Sequence, residues 1–73
     1  MSGLPVVSGQ ECVKALQKTG FILKRQKGNH LILRRDDPHC QITVPNHKVL
    51  DRGTLRSILR SADISTEKFV ELL

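Results

Sequence analysis

The chain has 73 residues, which is enough for one small domain with a limited core, and we expect residues 1–73 to form that single domain. Twelve Lys and Arg against seven Asp and Glu give a formal net charge of +5, which favours a polyanionic partner or an anionic membrane surface. No stretch approaches the ~20 apolar residues of a membrane span. The apolar run at 4–7 is too short for a secretory signal, so we expect a cytoplasmic protein.

The numbers and positions of the cysteine and aromatic residues argue against several other classes of protein. Cys12 and Cys40 could form one disulfide, but neither belongs to a CxxC pair, and a reducing compartment favours free thiols. Together with His39 and His47 they lack the spacing of a structural zinc site, so we expect no metal and no other cofactor. Only two aromatic residues are present, which argues against a base-stacking platform for single-stranded nucleic acid.

The first predicted element is a helix over residues 9–19. Ser8 and Glu11 have the spacing of a capping box, in which each side chain accepts a hydrogen bond from the other residue's amide. Apolar residues then recur at helical spacing, and Gly20 is the expected left-handed residue that ends the helix.

Two strands joined by a tight turn are predicted next. Residues 21–26 favour a first strand, and Gly28-Asn29 is a favoured two-residue hairpin loop, with glycine supplying the positive φ of a type II′ turn. His30 therefore opens a second strand, residues 30–35, directly opposite Lys27. This strand is apolar on both faces in its middle, which indicates a central position and leaves its two faces unassigned.

The remaining elements complete an α+β pattern. After turn residues at 36–39, a third strand at 40–44 alternates cleanly, and a polar crossing loop at 46–52 leads to a second helix from Gly53. Asp63 ends that helix, and Ser65 caps a short terminal helix. The order α-β-β-β-α predicts a small two-layer sandwich, with an antiparallel three-stranded sheet and both long helices on one face.

The chain contains four short motifs in this order: GF at 20–21, RQKGNH at 25–30, VPNH at 44–47 and GTLRSIL at 53–59. Taken together, these motifs resemble the HicA family of bacterial toxins. The resemblance implies a double-stranded-RNA-binding-like fold, mRNA-cleaving activity, and inhibition by a HicB-type antitoxin protein, with no direct DNA binding by the toxin alone. It also implies that His30 is catalytic. Asn29 stands where that family usually has serine, and because both residues suit turns the hairpin should still form.

The chemistry of RNA cleavage can be assigned to the same residues. The 2′-hydroxyl of RNA supplies the nucleophile, and an imidazole with a pKa near ~6.5 can move its proton at neutral pH. His30 is therefore the candidate general base or acid, and Lys27, Arg25 and the turn amides are candidates to stabilise charge on the phosphate without a metal. His47 is a second candidate for proton transfer, provided that the crossing loop folds toward the hairpin. The candidate RNA-binding residues are Lys24, Arg25, Lys27, Gly28, Asn29, His47 and Lys48.

Simpler readings of these residues stay open. His30 could be an ordinary half-exposed histidine, and the cations of the hairpin could be a solvated edge that discourages strand pairing. Arg52, Arg56 and Arg60 recur along one side of the second helix and favour a solvated face or an antitoxin contact over RNA binding. The alternative functions are a non-catalytic RNA-binding module and a protein-interaction domain.

Overall fold

The computed structural model describes residues 3–73 and has the predicted order α-β-β-β-α followed by a short helix. The elements are α1 Gly9–Gln17, β1 Ile22–Lys27, β2 His30–Asp36, β3 His39–Pro45, α2 Arg52–Ala62 and α3 Thr66–Leu72. The strands form one antiparallel sheet in the order β1-β2-β3. The central position predicted for the second strand is therefore confirmed.

Helix α1 begins with the predicted capping box. The Glu11 amide donates to Ser8 Oγ at 3.1 Å, and the Ser8 amide donates to Glu11 Oε1 at 2.8 Å. The helix ends at Gln17, two residues earlier than predicted, in a tighter turn in which the Lys18 and Thr19 amides donate to the carbonyls three residues before them. The Thr19 hydroxyl also donates to the Leu16 carbonyl, at 2.8 Å. Gly20 follows with the expected positive φ of 102°.

One face of the sheet carries the core, and the helices cover that face. Leu31 and Leu33 of β2 are buried, as are Ile42 and Val44 of β3, and cross-strand partners share a face. The helices add buried residues to the same cluster: Cys12, Val13, Ala15, Leu16, Leu55, Ile58, Leu59, Ala62 and Phe69. The other face, here called the open face, has no helix over it and presents the alternate residues of each strand.

The first strand begins one residue later than predicted, at Ile22. Phe21 instead precedes the strand as a core residue that is 2 % exposed, and the Arg35 guanidinium lies 4.8 Å from the centre of its ring. The aromatic residue therefore contributes packing and a cation–π contact rather than a strand side chain.

Helix α2 begins at Arg52, so the expectation that residue 52 belongs to the crossing loop was wrong. Asp51 is the N-cap, and its side chain accepts a hydrogen bond from the Thr54 amide at 2.6 Å. Asp63 ends the helix in the left-handed conformation with a φ of 58°, and Ser65 caps α3, both as predicted.

The two cysteines are free thiols. Cys12 is fully buried, and desolvation raises the pKa of its thiol to about 12. Cys40 is only half-buried, and its Sγ lies 3.3 Å from the Ser61 carbonyl oxygen. Within residues 3–73, no helix is long and apolar enough to span a bilayer.

Candidate functional site

The β1–β2 hairpin brings Lys27 and His30 directly opposite each other, as the sequence predicts. Gly28 has a φ of +59°, and Asp63 is the only non-glycine residue with a positive φ in the part of the chain that the structure describes. Asn29 therefore has a negative φ, which is the combination of a type II′ turn. The Gln26 side-chain amide donates to the Gly28 carbonyl at 3.0 Å and closes the turn from one side.

The side chains of Lys27 and His30 lie on the open face of the sheet. His30 pairs with Lys27 on one side and with Pro45 on the other, and its neighbour Leu31 points into the core. The imidazole is exposed, and it makes no hydrogen bond or ion pair with any residue in the range 3–73. Both ring nitrogens are therefore available to a ligand.

The two-residue turn and a β-bulge together determine where the cations of β1 lie. The register runs from Leu23 opposite Leu33 to Arg25 opposite Ile32, so Lys24 is the extra residue. Counted back from the turn, the regular pairing places Lys27 and Arg25 on the open face with His30. Without the bulge, Lys24 would pair with Leu33 on the core face, and Leu23 would lie on the open face.

The crossing loop between β3 and α2 begins beside the hairpin turn. The Asn46 amide donates to the Asn29 carbonyl at 2.6 Å, and the Asn46 side chain accepts a hydrogen bond from Gln10 Nε2 at 3.1 Å. The Gly9 amide donates to the His47 carbonyl at 2.9 Å. The start of α1, the hairpin turn and the crossing loop therefore meet at one end of the sheet.

His47 and Lys48 lie on the crossing loop and are exposed. Hydrogen bonds from Thr54 are the main cause of a lowered pKa of the Asp51 carboxyl, and the nearby charge of His47 lowers this pKa further. The loop is hydrogen-bonded to the hairpin at Asn46, one residue before His47.

This end of the sheet carries a group of exposed positive charges. The side chains of Lys24, Arg25 and Lys27 are exposed and make no hydrogen bond or ion pair with other residues among 3–73. The nearest carboxylate along the open face of β2 is Asp36, at the far end of the strand, where it pairs with Arg34 at 3.1 Å. Among the described residues, no group of three or more His, Cys, Asp or Glu side chains is arranged to hold a metal ion.

Sequence reasoning missed three side chains that the open face brings beside the predicted cations. Ile32, Arg34 and Gln41 surround Lys24 and Arg25 across all three strands. The alternation of residues 40–44 is enough to predict that Gln41 lies on the face away from the core. The face of Arg34 could not be predicted in this way, because the middle of β2 is apolar on both sides.

Fold and site together define a small α+β domain that presents a cationic hairpin with an exposed histidine on an uncovered sheet face. The model of the family described as "HicA toxin of bacterial toxin-antitoxin" matches residues 9–64, which include the hairpin and the crossing loop. The chain therefore belongs to the HicA toxin family, and is the toxin of a toxin–antitoxin system with a cognate antitoxin as its partner. Comparison with curated proteins gives no match.

Proposed function

We propose that this toxin is a metal-independent endoribonuclease that cleaves mRNA, with His30 as its general acid or base. The observation that carries the proposal is the placement of an exposed imidazole directly opposite Lys27, on the sheet face that the helices leave uncovered. A proton-transfer group and a phosphate-binding cation thereby lie side by side at the end of a hairpin.

The reaction needs a base for the 2′-hydroxyl, charge stabilisation at phosphorus and a proton for the leaving oxygen. His30 takes or supplies a proton, and Lys27 and Arg25 stabilise the negative charge that develops on the phosphate oxygens. His47 is the candidate for the second proton transfer, because its loop is tied to the hairpin through the hydrogen bond between Asn46 and Asn29. Attack by the 2′-hydroxyl forms a cyclic phosphate and releases the 5′-hydroxyl of the next nucleotide.

The proposed RNA contacts surround the catalytic histidine and come from both the hairpin and the crossing loop. They are Lys24, Arg25, Lys27, Gly28, Asn29, His47 and Lys48. Gly28 has no side chain and contributes through its backbone. Its φ of +59° disfavours any residue with a Cβ at this position. The proposed antitoxin is a HicB-type protein, the proposed compartment is the cytoplasm, and we expect residues 1–73 to act as a single domain.

The test in cells compares inducible expression of the wild-type chain, His30→Ala and His39→Ala. His39 is the matched control, because it is also an exposed histidine on the open face, opposite Asp36 at the far end of the sheet. We expect wild type and His39→Ala to arrest growth and degrade mRNA, and His30→Ala to do neither. Equal toxicity of His30→Ala and wild type would contradict the catalytic assignment and favour a non-catalytic RNA-binding or protein-interaction role.

The ends of the products test the chemistry separately. Attack by the 2′-hydroxyl predicts 2′,3′-cyclic phosphate or 3′-phosphate ends, and cleavage should persist in EDTA. Products with a 5′-phosphate and a free 3′-hydroxyl would instead require an activated water, and would contradict the proposed nucleophile.

A further inference from the structure

The open face contains a shallow concavity that lies further along the sheet than the hairpin. It has a volume of about 290 Å³ and a mainly polar lining drawn from all three strands. We call it the open-face cup. Its lining residues are Lys24, Arg25, Ile32, Arg34 and Gln41.

The β1 bulge and the strand register build the cup. Arg25 pairs with Ile32, and Gln41 pairs with Arg34, so these four side chains occupy adjacent rows of the open face. The bulge adds Lys24 to the same rim, which places two consecutive cations on one side of the sheet. Ile32 is half-buried and adds an apolar side chain to the lining, next to Arg25.

The cup presents hydrogen-bond donors and positive charge to a small anionic group. Three of its five residues are cations, and Gln41 adds a side-chain amide that can donate. Asp36 lies beside the cup, and its Oδ1 is 3.1 Å from Arg34 Nε. An exposed ion pair of this kind is weak, so an incoming phosphate can share or replace it.

We propose that the open-face cup is a second phosphate-binding site, which holds a neighbouring phosphate of the RNA strand that is cleaved at His30. This inference rests on the proposed function, and it adds Arg34, Gln41 and Ile32 to the substrate surface. His30, Ile32 and Arg34 are alternate residues of β2, so the cup begins about 7 Å from the histidine along the strand. An RNA strand lying along β2 therefore meets His30 and then the cup on the same face.

The binding test uses His30→Ala as the background, so that the RNA stays intact. Affinity for a short single-stranded RNA is measured over a range of salt concentrations, with and without Arg34→Gln. Loss of one phosphate contact should weaken binding about tenfold and lower the slope of log K against log salt by about 0.7. Arg60→Gln is the matched control, because it removes the same charge from the exposed side of α2, and it should change neither quantity.

The cleavage test uses the chain with His30 intact and two substrates. A dinucleoside monophosphate contains only the scissile phosphate, whereas a longer oligonucleotide also offers a phosphate to the cup. The ratio of kcat/KM for the longer substrate over the shorter one should fall about tenfold in Arg34→Gln and stay constant in Arg60→Gln. Gln41 lies opposite Arg34, and Gln41→Ala should lower the same ratio. The unfolding midpoint of this variant should match that of wild type, so that the loss is not one of folding.

Three results would overturn the inference or the function on which it rests. Equal affinities and salt slopes for Arg34→Gln and Arg60→Gln would show that the cup binds no phosphate. Loss of antitoxin binding in Arg34→Gln with RNA binding unchanged would assign the cup to a protein interface instead. If the chain with His30 intact cleaves neither substrate, the proposed function fails, while the binding test still decides whether the cup takes a phosphate.

Discussion

The two faces of β2 differ in burial and in the chemistry of their side chains. Leu31 and Leu33 are buried beneath the helices, whereas His30, Ile32 and Arg34 alternate with them on the open face. One face of the strand therefore contributes to the stability of the fold and the other to the proposed chemistry. Because neighbouring residues of a strand point to opposite sides, substitutions on the two faces should change stability and activity independently.

The largest expected effect on stability comes from the covered face. Leu33→Ala removes a side chain with no solvent exposure and should lower the free energy of unfolding by about 2–5 kcal/mol. The neighbouring Ile32→Ala should cost less than half of that amount, because Ile32 is only half-buried on the open face. Urea unfolding of both variants measures the difference, and an Ile32→Ala cost equal to that of Leu33→Ala would contradict the face assignment.

A smaller loss of stability is expected at Gly9, where α1 contacts the start of the crossing loop. A Cβ on Gly9 would collide with the Pro45 carbonyl oxygen and crowd Asn46, which is hydrogen-bonded to the hairpin. Gly9→Ala should therefore cost about 1–3 kcal/mol of unfolding free energy by forcing α1 away from the crossing loop.

Gly53 provides the matched control for Gly9, because it also lies in the first turn of a helix. A Cβ there would meet only Asp51 Oδ1, at 3.8 Å. Gly53→Ala should be neutral or stabilise the fold by up to about 1 kcal/mol. Equal destabilisation by the two substitutions in thermal unfolding would show that the close approach at Gly9 does not constrain the loop.

The smallest effect concerns Asp51, on the loop that carries His47. Its pKa in the folded chain is lowered, chiefly by hydrogen bonds from Thr54 and further by His47, so the ionised carboxylate stabilises the folded state. That stabilisation is fully present above the unfolded pKa of ~3.9 and is lost as the pH falls through the lowered folded pKa. Asp51→Asn keeps a capping oxygen without the charge, so wild type should be the more stable at neutral pH.

Unfolding midpoints of wild type and Asp51→Asn, followed from neutral to acidic pH, measure this effect. The two curves should converge as the pH falls below ~4, because protonation removes the charge from wild type. A difference in midpoint that stays constant across this range would show that the charge of Asp51 contributes nothing to stability.

Local sequence signals were sufficient to predict most of the fold. The capping box at Ser8 and Glu11, the Gly28-Asn29 turn and the Ser65 cap each depend on residues within four positions of one another. The order of elements then followed from the change between helical and strand periodicity. These signals also predicted that Lys27 faces His30, which is the centre of the candidate site.

Two features of the site depend on contacts that no local pattern reveals. The bulge at Lys24 returns Leu23 to the core face and leaves Lys24 at the open-face cup, and it arises from pairing with β2 rather than from any signal in residues 22–27. The hydrogen bonds of Asn46 to Asn29 and to Gln10 join segments far apart in the chain. Sequence reasoning therefore found the cations and the turn that pairs Lys27 with His30, but neither the bulge nor the contacts of the crossing loop.

The central claim is that the open face at His30 carries out the cleavage. The most direct measurement is the rate of RNA cleavage by purified wild type, His30→Ala and His39→Ala, with unfolding midpoints recorded for all three. His39 lies about 20 Å from His30 along the sheet, so it shares the open face without sharing the site.

Loss of the general acid or base should reduce the rate of His30→Ala by about 10²–10⁴ with an unchanged midpoint, while His39→Ala stays at the wild-type rate. A His30→Ala variant that is folded and cuts RNA as fast as wild type would contradict the account.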